Sequence, residues 1–282
     1  MIREPVVAGQ FYPSNKDELT LVIKQSINKV IIKKNHNNIL GAIIPHAGYM
    51  YSGSCAAHSY SMIKNNKDKI DVFIILGFSH SGYGNAEICL SQNDWKTPLG
   101  ICQIDNEISN QLLNNNIATI NENAHNYEHS IEVQLPFLQY LFKDFTIVPL
   151  SISSRCDFKK MGEKIANVIK NQNKKICVIA SSDFTHYGPN FKYVPFTDNI
   201  KENLEKLDMG AIKFIKDLNS NGFIDYINQT SATICGQNPI ALQIEIMKNL
   251  NAKKGELINY CTSGDLTGDY SNSVSYVSLI FK

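Results

Sequence analysis

Apolar residues in this chain gather into short continuous runs, and the stretches between them either repeat at helical spacing or are polar. Five runs read as strands: Ile39 to Ile44, Val72 to Leu76, Phe145 to Ile152, Ile176 to Ala180 and Val274 to Phe281. The absence of in-and-out alternation is the pattern of strands covered on both faces. Pro149 predicts a bulge or an edge position in the third run. A weaker run from Ala86 to Leu90 adds a short strand, and Pro98-Leu99-Gly100 marks a turn. Leu19, Val22, Ile23, Ile27 and Val30 predict a helix from Lys16 to Ile31, with Ser14 and Asp17 placed like a capping box. Small residues from Ser52 to Ala57 lead into a helix through Met62 that carries His58, where packing is its expected role. Helical patterns also cover Ile108 to Leu113 and Ile165 to Ile169. Glu128 to Phe142 predicts a helix with a kink or break at Pro136. Asn238 as cap and Pro239 in the first turn predict one more, opening just after Cys235. The polar loop Lys33 to Asn38 leaves His36 solvated. Strand and helix in alternation predict an α/β fold, a mainly parallel central sheet flanked by helices. No composition shift, linker or repeat divides the 282 residues, so a single domain over 1–282 is expected.

Composition narrows the function class. Apolar residues make up 43% and charged residues 19%, with a net charge of +1. That balance argues against a nucleic-acid-coating surface, and the Lys-Lys pairs starting at Lys33, Lys159, Lys174 and Lys253 are scattered instead of forming a stripe. No apolar stretch approaches the length of a membrane span, and MIREPVVAGQFYP lacks the shape of a signal peptide. A soluble, cytoplasmic protein is the expectation. The seven cysteines include no CxxC pair, and Cys89 and Cys177 sit inside apolar strings, as small core residues of a reducing compartment do.

The chemistry gathers where strands end. His46, His80 and His186 each follow a strand run within a few residues, and α/β proteins build sites at the carboxyl ends of parallel strands. One shared metal or acid/base site is therefore predicted. Cys235 lies just ahead of a helix N-terminus, where the dipole favours the thiolate that binds metals; a thiol packed under the helix is the alternative. Asp183, three residues before His186, either orients an imidazole or caps its own turn. On a helix, Glu128, His129 and Glu132 would share a face that holds a metal or bonds a neighbouring loop. His125-Asn126-Tyr127-Glu128-His129 matches the HxxEH zinc-protease pattern, but NENAHN is a poor helix former and places His125 ahead of the helix. Walker, GxGxxG, GxSxG and HExxH motifs are missing, so phosphate-cradling and serine-hydrolase chemistries lack support.

At PHAGYMYSG, GFSHSG, EHSIEVQLPFL, SSDFTHYG, TICGQNPI and SGDLTGDYSNSVSY the chain resembles the Memo family, and VAGQFYP is similar to its prokaryotic branch. The resemblance implies the fold of class III extradiol dioxygenases of the LigB type. In those enzymes two histidines and a glutamate hold Fe(II) and a further histidine is acid/base. By that resemblance His46 and His80 match the histidine ligands, His186 matches the acid/base, and Cys235 stands where the dioxygenases have glutamate. A thiolate makes the site softer, suited to Fe(II) and also to Cu or Zn. The implied function is a mononuclear iron-binding oxidoreductase, dioxygenase-like, acting on an unknown small-molecule substrate. Animal members are described as signalling adaptors for phosphorylated receptor segments, which implies a peptide-binding alternative in the same cleft. Prokaryotic members are linked with AMMECR-type and radical-SAM proteins, which implies a modification pathway with those partners.

Overall fold

The apolar runs become strands whose alternate residues enter two different cores, which is why they do not alternate in polarity. In the computed structural model, residues 1–32, 38–66, 69–80 and 82–282 are described; His36 lies outside them. In chain order the first elements are β1 (Ile2–Arg3), α1 (Lys16–Asn28), β2 (Gly41–Ile44), α2 (Tyr49–Lys64), β3 (Val72–Phe78), β4 (Ile88–Leu90), β5 (Asp94–Thr97) and β6 (Gly100–Ile104). There follow α3 (Asn106–Asn114), β7 (Thr119–Ile120), α4 (Leu135–Leu141), β8 (Thr146–Ile152), α5 (Phe158–Lys170), β9 (Ile176–Ser181) and β10 (His186–Tyr187). The C-terminal part adds α6 (Ile200–Lys216), α7 (Ser220–Thr230), α8 (Gln237–Asn249), β11 (Gly255–Thr262), α9 (Ser263–Thr267) and β12 (Ser273–Phe281).

The centre of the sheet is the parallel series β8-β3-β9-β2, continued by antiparallel pairing of β12 to β2 and of β11 and β10 to β12. The fold is thus α/β with a mixed, mostly parallel sheet. Val72, Ile74 and Leu76 of β3 join one core with α5 and α8, while Phe73 and Ile75 join the other with α1, α2 and α4. Each such side chain, once fully buried, contributes about 1.5–3 kcal/mol. No helix among the described residues is long and apolar enough to cross a membrane.

Several local expectations are corrected by the structure. Pro149 is neither at an edge nor at a bulge: Ile74↔Val148, Ile75↔Pro149 and Leu76↔Leu150 pair in unbroken register. On its other side β6 ends opposite Ile147 and the antiparallel β4 ends opposite Leu150, so the residue without an N–H falls between two partners. Asn15, not Ser14, caps α1 through its side chain to the amides of Asp17 and Glu18. Pro136 does not kink a long helix. It lies in the first turn of α4, preceded by a single 3-10 turn over Glu132–Gln134, so residues 128–131 are not helical. Gly236 rather than Asn238 is the cap position of α8.

Candidate metal centre

Three strand ends, one irregular loop and the segment ahead of α8 deliver the site. His46 follows β2, His80 follows β3, and Asp183 and His186 follow β9. Cys235 arrives from outside the sheet, immediately before the start of α8, and is placed by the amide of Gly236 donating to Ser182 Oγ at 3.0 Å. Only glycine fits there, because a Cβ on Gly236 would lie 2.3 Å from Ser182 Cβ. One ligand atom each from His46, His80 and Cys235 falls within 4.8 Å of the others; the same holds for His80, Glu128 and His129. Cys235 Sγ is 3.1 Å from His46 Nε2. His46, His80, His129, Asp183 and His186 line one cleft of about 530 Å3 with Phe11, Tyr51, Phe191 and Tyr276.

The hydrogen bonds around the rings decide their tautomers. Tyr60 Oη donates to Gln134 Oε1, which turns Gln134 Nε2 toward Ser181 Oγ at 2.7 Å. Ser181 Oγ donates its own proton to the Ser130 carbonyl at 2.5 Å. The contact from His46 Nδ1 to Ser181 Oγ, 3.0 Å, therefore has the ring as donor, and Nε2 keeps the lone pair that faces Cys235. His80 Nδ1 donates to Glu128 Oε1 at 2.9 Å, which likewise leaves Nε2 with its lone pair. His186 Nδ1 lies 3.0 Å from the Phe184 carbonyl and 3.1 Å from that of Thr233, both pure acceptors. In the neutral ring the lone pair is then on Nε2.

Burial, and then the neighbouring His80 charge, push His46 down to about 3. Burial and then His46 push His129 down to about 4. Both rings are neutral at physiological pH, the form that ligates. Burial opposes ionisation of Glu128, but the His80 hydrogen bond and the charges of His80 and His129 outweigh it and bring the carboxyl to about 2. For Cys235 the helix terminus does not prevail. Burial and then the Asp183 carboxylate hold the thiol well above its ordinary range, so metal uptake has to displace a proton.

Asp183 is placed differently from either sequence reading. Its Oδ1 accepts the backbone amides of His46, 2.8 Å, and Ala47, 3.2 Å, so it fixes the loop after β2. The His186 ring is oriented by carbonyls instead. Glu128 and Glu132 do not share a face, because the chain turns non-helically between them. Glu128 holds the backbone amide of His80 at 2.7 Å, whereas Glu132 meets Arg3 Nη1 at 2.6 Å and Tyr12 Oη at 2.6 Å on the far side. His129, read from the sequence as part of a separate constellation, stands in the histidine group, with ring centres 4.4 Å from His80 and 5.2 Å from His46. Pro136 was the signal for this, since a proline in a first turn leaves residue 129 outside the helix. His125 is buried away from the cleft, its Nε2 on the Cys89 carbonyl at 3.1 Å and its ring 5.8 Å from Trp95, which leaves the HxxEH match without a shared site.

Fold and site together define an α/β protein whose strand ends gather a cysteine and histidine group able to hold a metal ion. A family model described as Memo-like protein matches residues 3–280. The chain belongs to the Memo family. It is 40% identical to a MEMO1 family protein of Methanosarcina barkeri across 99% of both chains, and 40% identical to one of Methanococcus maripaludis across 100% of both. A MEMO1 family protein of Methanopyrus kandleri is 35% identical, over 100% of this chain and 99% of its own.

Proposed function

We propose that this protein is a mononuclear non-haem iron oxidoreductase, with His46, His80 and Cys235 holding the metal and His186 acting as acid/base on a small substrate in the cleft. The observation that carries this reading is the donor set: three ligand atoms within 4.8 Å, with both imidazoles presenting Nε2 because Nδ1 is already bonded. Two imidazoles and a thiolate suit Fe(II), and Cu or Zn are the alternatives. A bound ferrous ion would supply redox and Lewis-acid chemistry at the cleft wall. His186 Nε2 takes the proton of a substrate hydroxyl, and its fixed Nδ1–H holds the ring in place while it does so. Phe11, Tyr51, Phe191 and Tyr276 offer apolar walls that suit an aromatic substrate. Asp183 contributes by holding the His46 loop.

Metal content by mass spectrometry after anaerobic purification tests the reading. Near-stoichiometric iron is expected in the wild type and in His186→Ala, and loss is expected in His80→Ala and Cys235→Ala. Metal retained in both of the latter, with the fold intact, sinks the ligand assignment. Copper or zinc in place of iron redirects the search to metal handling or hydrolysis. The phosphopeptide-adaptor reading is weaker, because the described residues lining the cleft include Asp183 and Asp269 but no lysine or arginine. Phosphopeptide binding by metal-free protein would revive it. Association with AMMECR-type and radical-SAM partners stays within the proposal, and co-purification from the native host checks it.

A further inference from the structure

Of the two partly accessible cysteines, Cys235 belongs to the metal centre and Cys261 lies on β11 against α2. The helix runs back along the sheet after β2, and β12 is antiparallel to β2 while β11 is antiparallel to β12. Helix α2 is therefore antiparallel to β11. Ser59 of α2 touches Ser278 of β12, Oγ to Oγ at 2.5 Å and amide to Oγ at 2.7 Å, and Ser278 is the register partner of Asn259. From that anchor, Cys55 lies one turn back on the same helix face, about 6 Å along the axis. Cys261 lies two residues on along the same strand face, about 6.8 Å. The two displacements run in the same direction and are nearly equal, so Cys55 comes to stand beside Cys261. The two thiols are near enough for each to shift the other's ionisation, and the Asn259 side chain acts on Cys55 as well.

The two sulfurs are not equivalent. Cys55 is fully buried, whereas Cys261 is partly exposed. The neighbouring Cys55 thiol draws the Cys261 thiol below its ordinary range, against burial and the nearby Asp265 carboxylate. Burial holds Cys55, Cys89, Cys102, Cys156 and Cys177 above theirs.

We propose that Cys261 and Cys55 form a peroxide-reactive dithiol site, in which Cys261 is the attacking and Cys55 the resolving sulfur, closing to a disulfide that ties α2 to β11. In the first step the Cys261 thiolate attacks one oxygen of a hydroperoxide. The S–O bond forms, the O–O bond breaks, and the departing hydroxide leaves as water with the proton that Cys261 released. In the second step Cys55 Sγ attacks Cys261 Sγ; the S–S bond forms, the S–O bond breaks, and hydroxide departs with the Cys55 proton. Two thiols are oxidised by two electrons and one hydrogen peroxide becomes two waters. The pair borders the cleft, since Cys261 is in register with Tyr276, which lines it.

Peptide mapping without reductant decides the matter on the full-length protein. Trypsin releases Cys55 within residues 35–64 and Cys261 within 255–282, and neither fragment holds another cysteine. After stoichiometric hydrogen peroxide, the expected product is a cross-linked pair of these fragments, two hydrogens lighter than their sum, which a reductant separates. Cys55→Ser leaves a sulfenic acid on Cys261 that a dimedone probe captures, and Cys261→Ser leaves Cys55 unmodified. Wild-type protein in which both cysteines remain fully alkylatable after peroxide, or are over-oxidised without cross-linking, overturns the proposal. So does dimedone capture at Cys55 in Cys261→Ser. The wild-type arm does not depend on any variant folding.

Discussion

Replacing Glu128 by glutamine keeps the size of the side chain and removes the charge on which the His80 loop is built. The carboxylate accepts three N–H groups: the His80 amide at 2.7 Å, His80 Nδ1 at 2.9 Å and the Ser130 amide at 2.9 Å. A carboxamide offers one oxygen, and its own NH2 is turned on at least one of those donors. A buried donor left without an acceptor costs about 1–3 kcal/mol, which sets the expected loss in unfolding free energy. The larger effect is on metal. Outer hydrogen bonds that orient a ligating histidine are worth about 10–100-fold in affinity, or about 1.4–2.7 kcal/mol. Titration of metal-free protein with Zn(II) against a chromophoric chelator at neutral pH reads the affinity, and urea unfolding reads the stability. Affinity within twofold of the wild type, alongside loss of binding in His46→Ala and His80→Ala, would refute the claim that Glu128 orients His80 for a metal.

Arg3→Met strands the Glu132 carboxylate, which is fully buried, and is expected to cost about 3–5 kcal/mol by denaturant unfolding, with part recovered in Arg3→Met/Glu132→Gln. Gly77→Ala places a Cβ 2.6 Å from Ile131 Cγ1 and 2.7 Å from Ser130 Oγ; a stability loss of about 1–3 kcal/mol and weakened metal binding are expected, and wild-type values for both would show that the loop yields freely. Burial holds His125 down at about 4 despite the hydrogen bond to Cys89. The unfolded chain, with an ordinary histidine pKa near 6.5, binds the proton first as pH falls, so this contribution is intact above about 6.5, shrinks down to about 4 and is then exhausted, about 3 kcal/mol in all. Comparing urea unfolding of metal-free wild type and His125→Gln at pH 7 and pH 4.5 checks it: the wild type should lose more, and equal losses would contradict the assignment.

What the sequence disclosed and what it hid follow one physical division. The parallel strands were legible because burial on both faces leaves uninterrupted apolar runs, and the residues just after them were legible because parallel strands point their ends the same way. The hairpin of β5 and β6 was not, since Asp94–Thr97 and Gly100–Ile104 mix exposed and buried positions at the sheet margin. Helices α6 and α7 were passed over as well, though their buried faces, with Leu204, Ala211, Ile212 and Ile215 in the first, follow helical spacing. Glu128 and Glu132 misled for a different reason. Spacing of four implies a shared face only if the segment is helical, and one proline a turn later decided otherwise.

The same segment shows how the far end of the chain enters the site. Arg3 Nε donates to the His125 carbonyl at 2.8 Å and Nη2 to the Glu128 carbonyl at 2.7 Å, while Trp95 stacks on its guanidinium at 4.0 Å. Glu132 in turn accepts the amides of Val6 and Val7. Residues 125–132 lack helical or ladder hydrogen bonds for much of their length, and a buried backbone in that state needs other partners. The N-terminal residues supply them. A loop held this way from behind keeps Glu128 and His129 pointed forward without belonging to any regular element, and the histidine that Glu128 orients is then as well positioned as those at the strand ends.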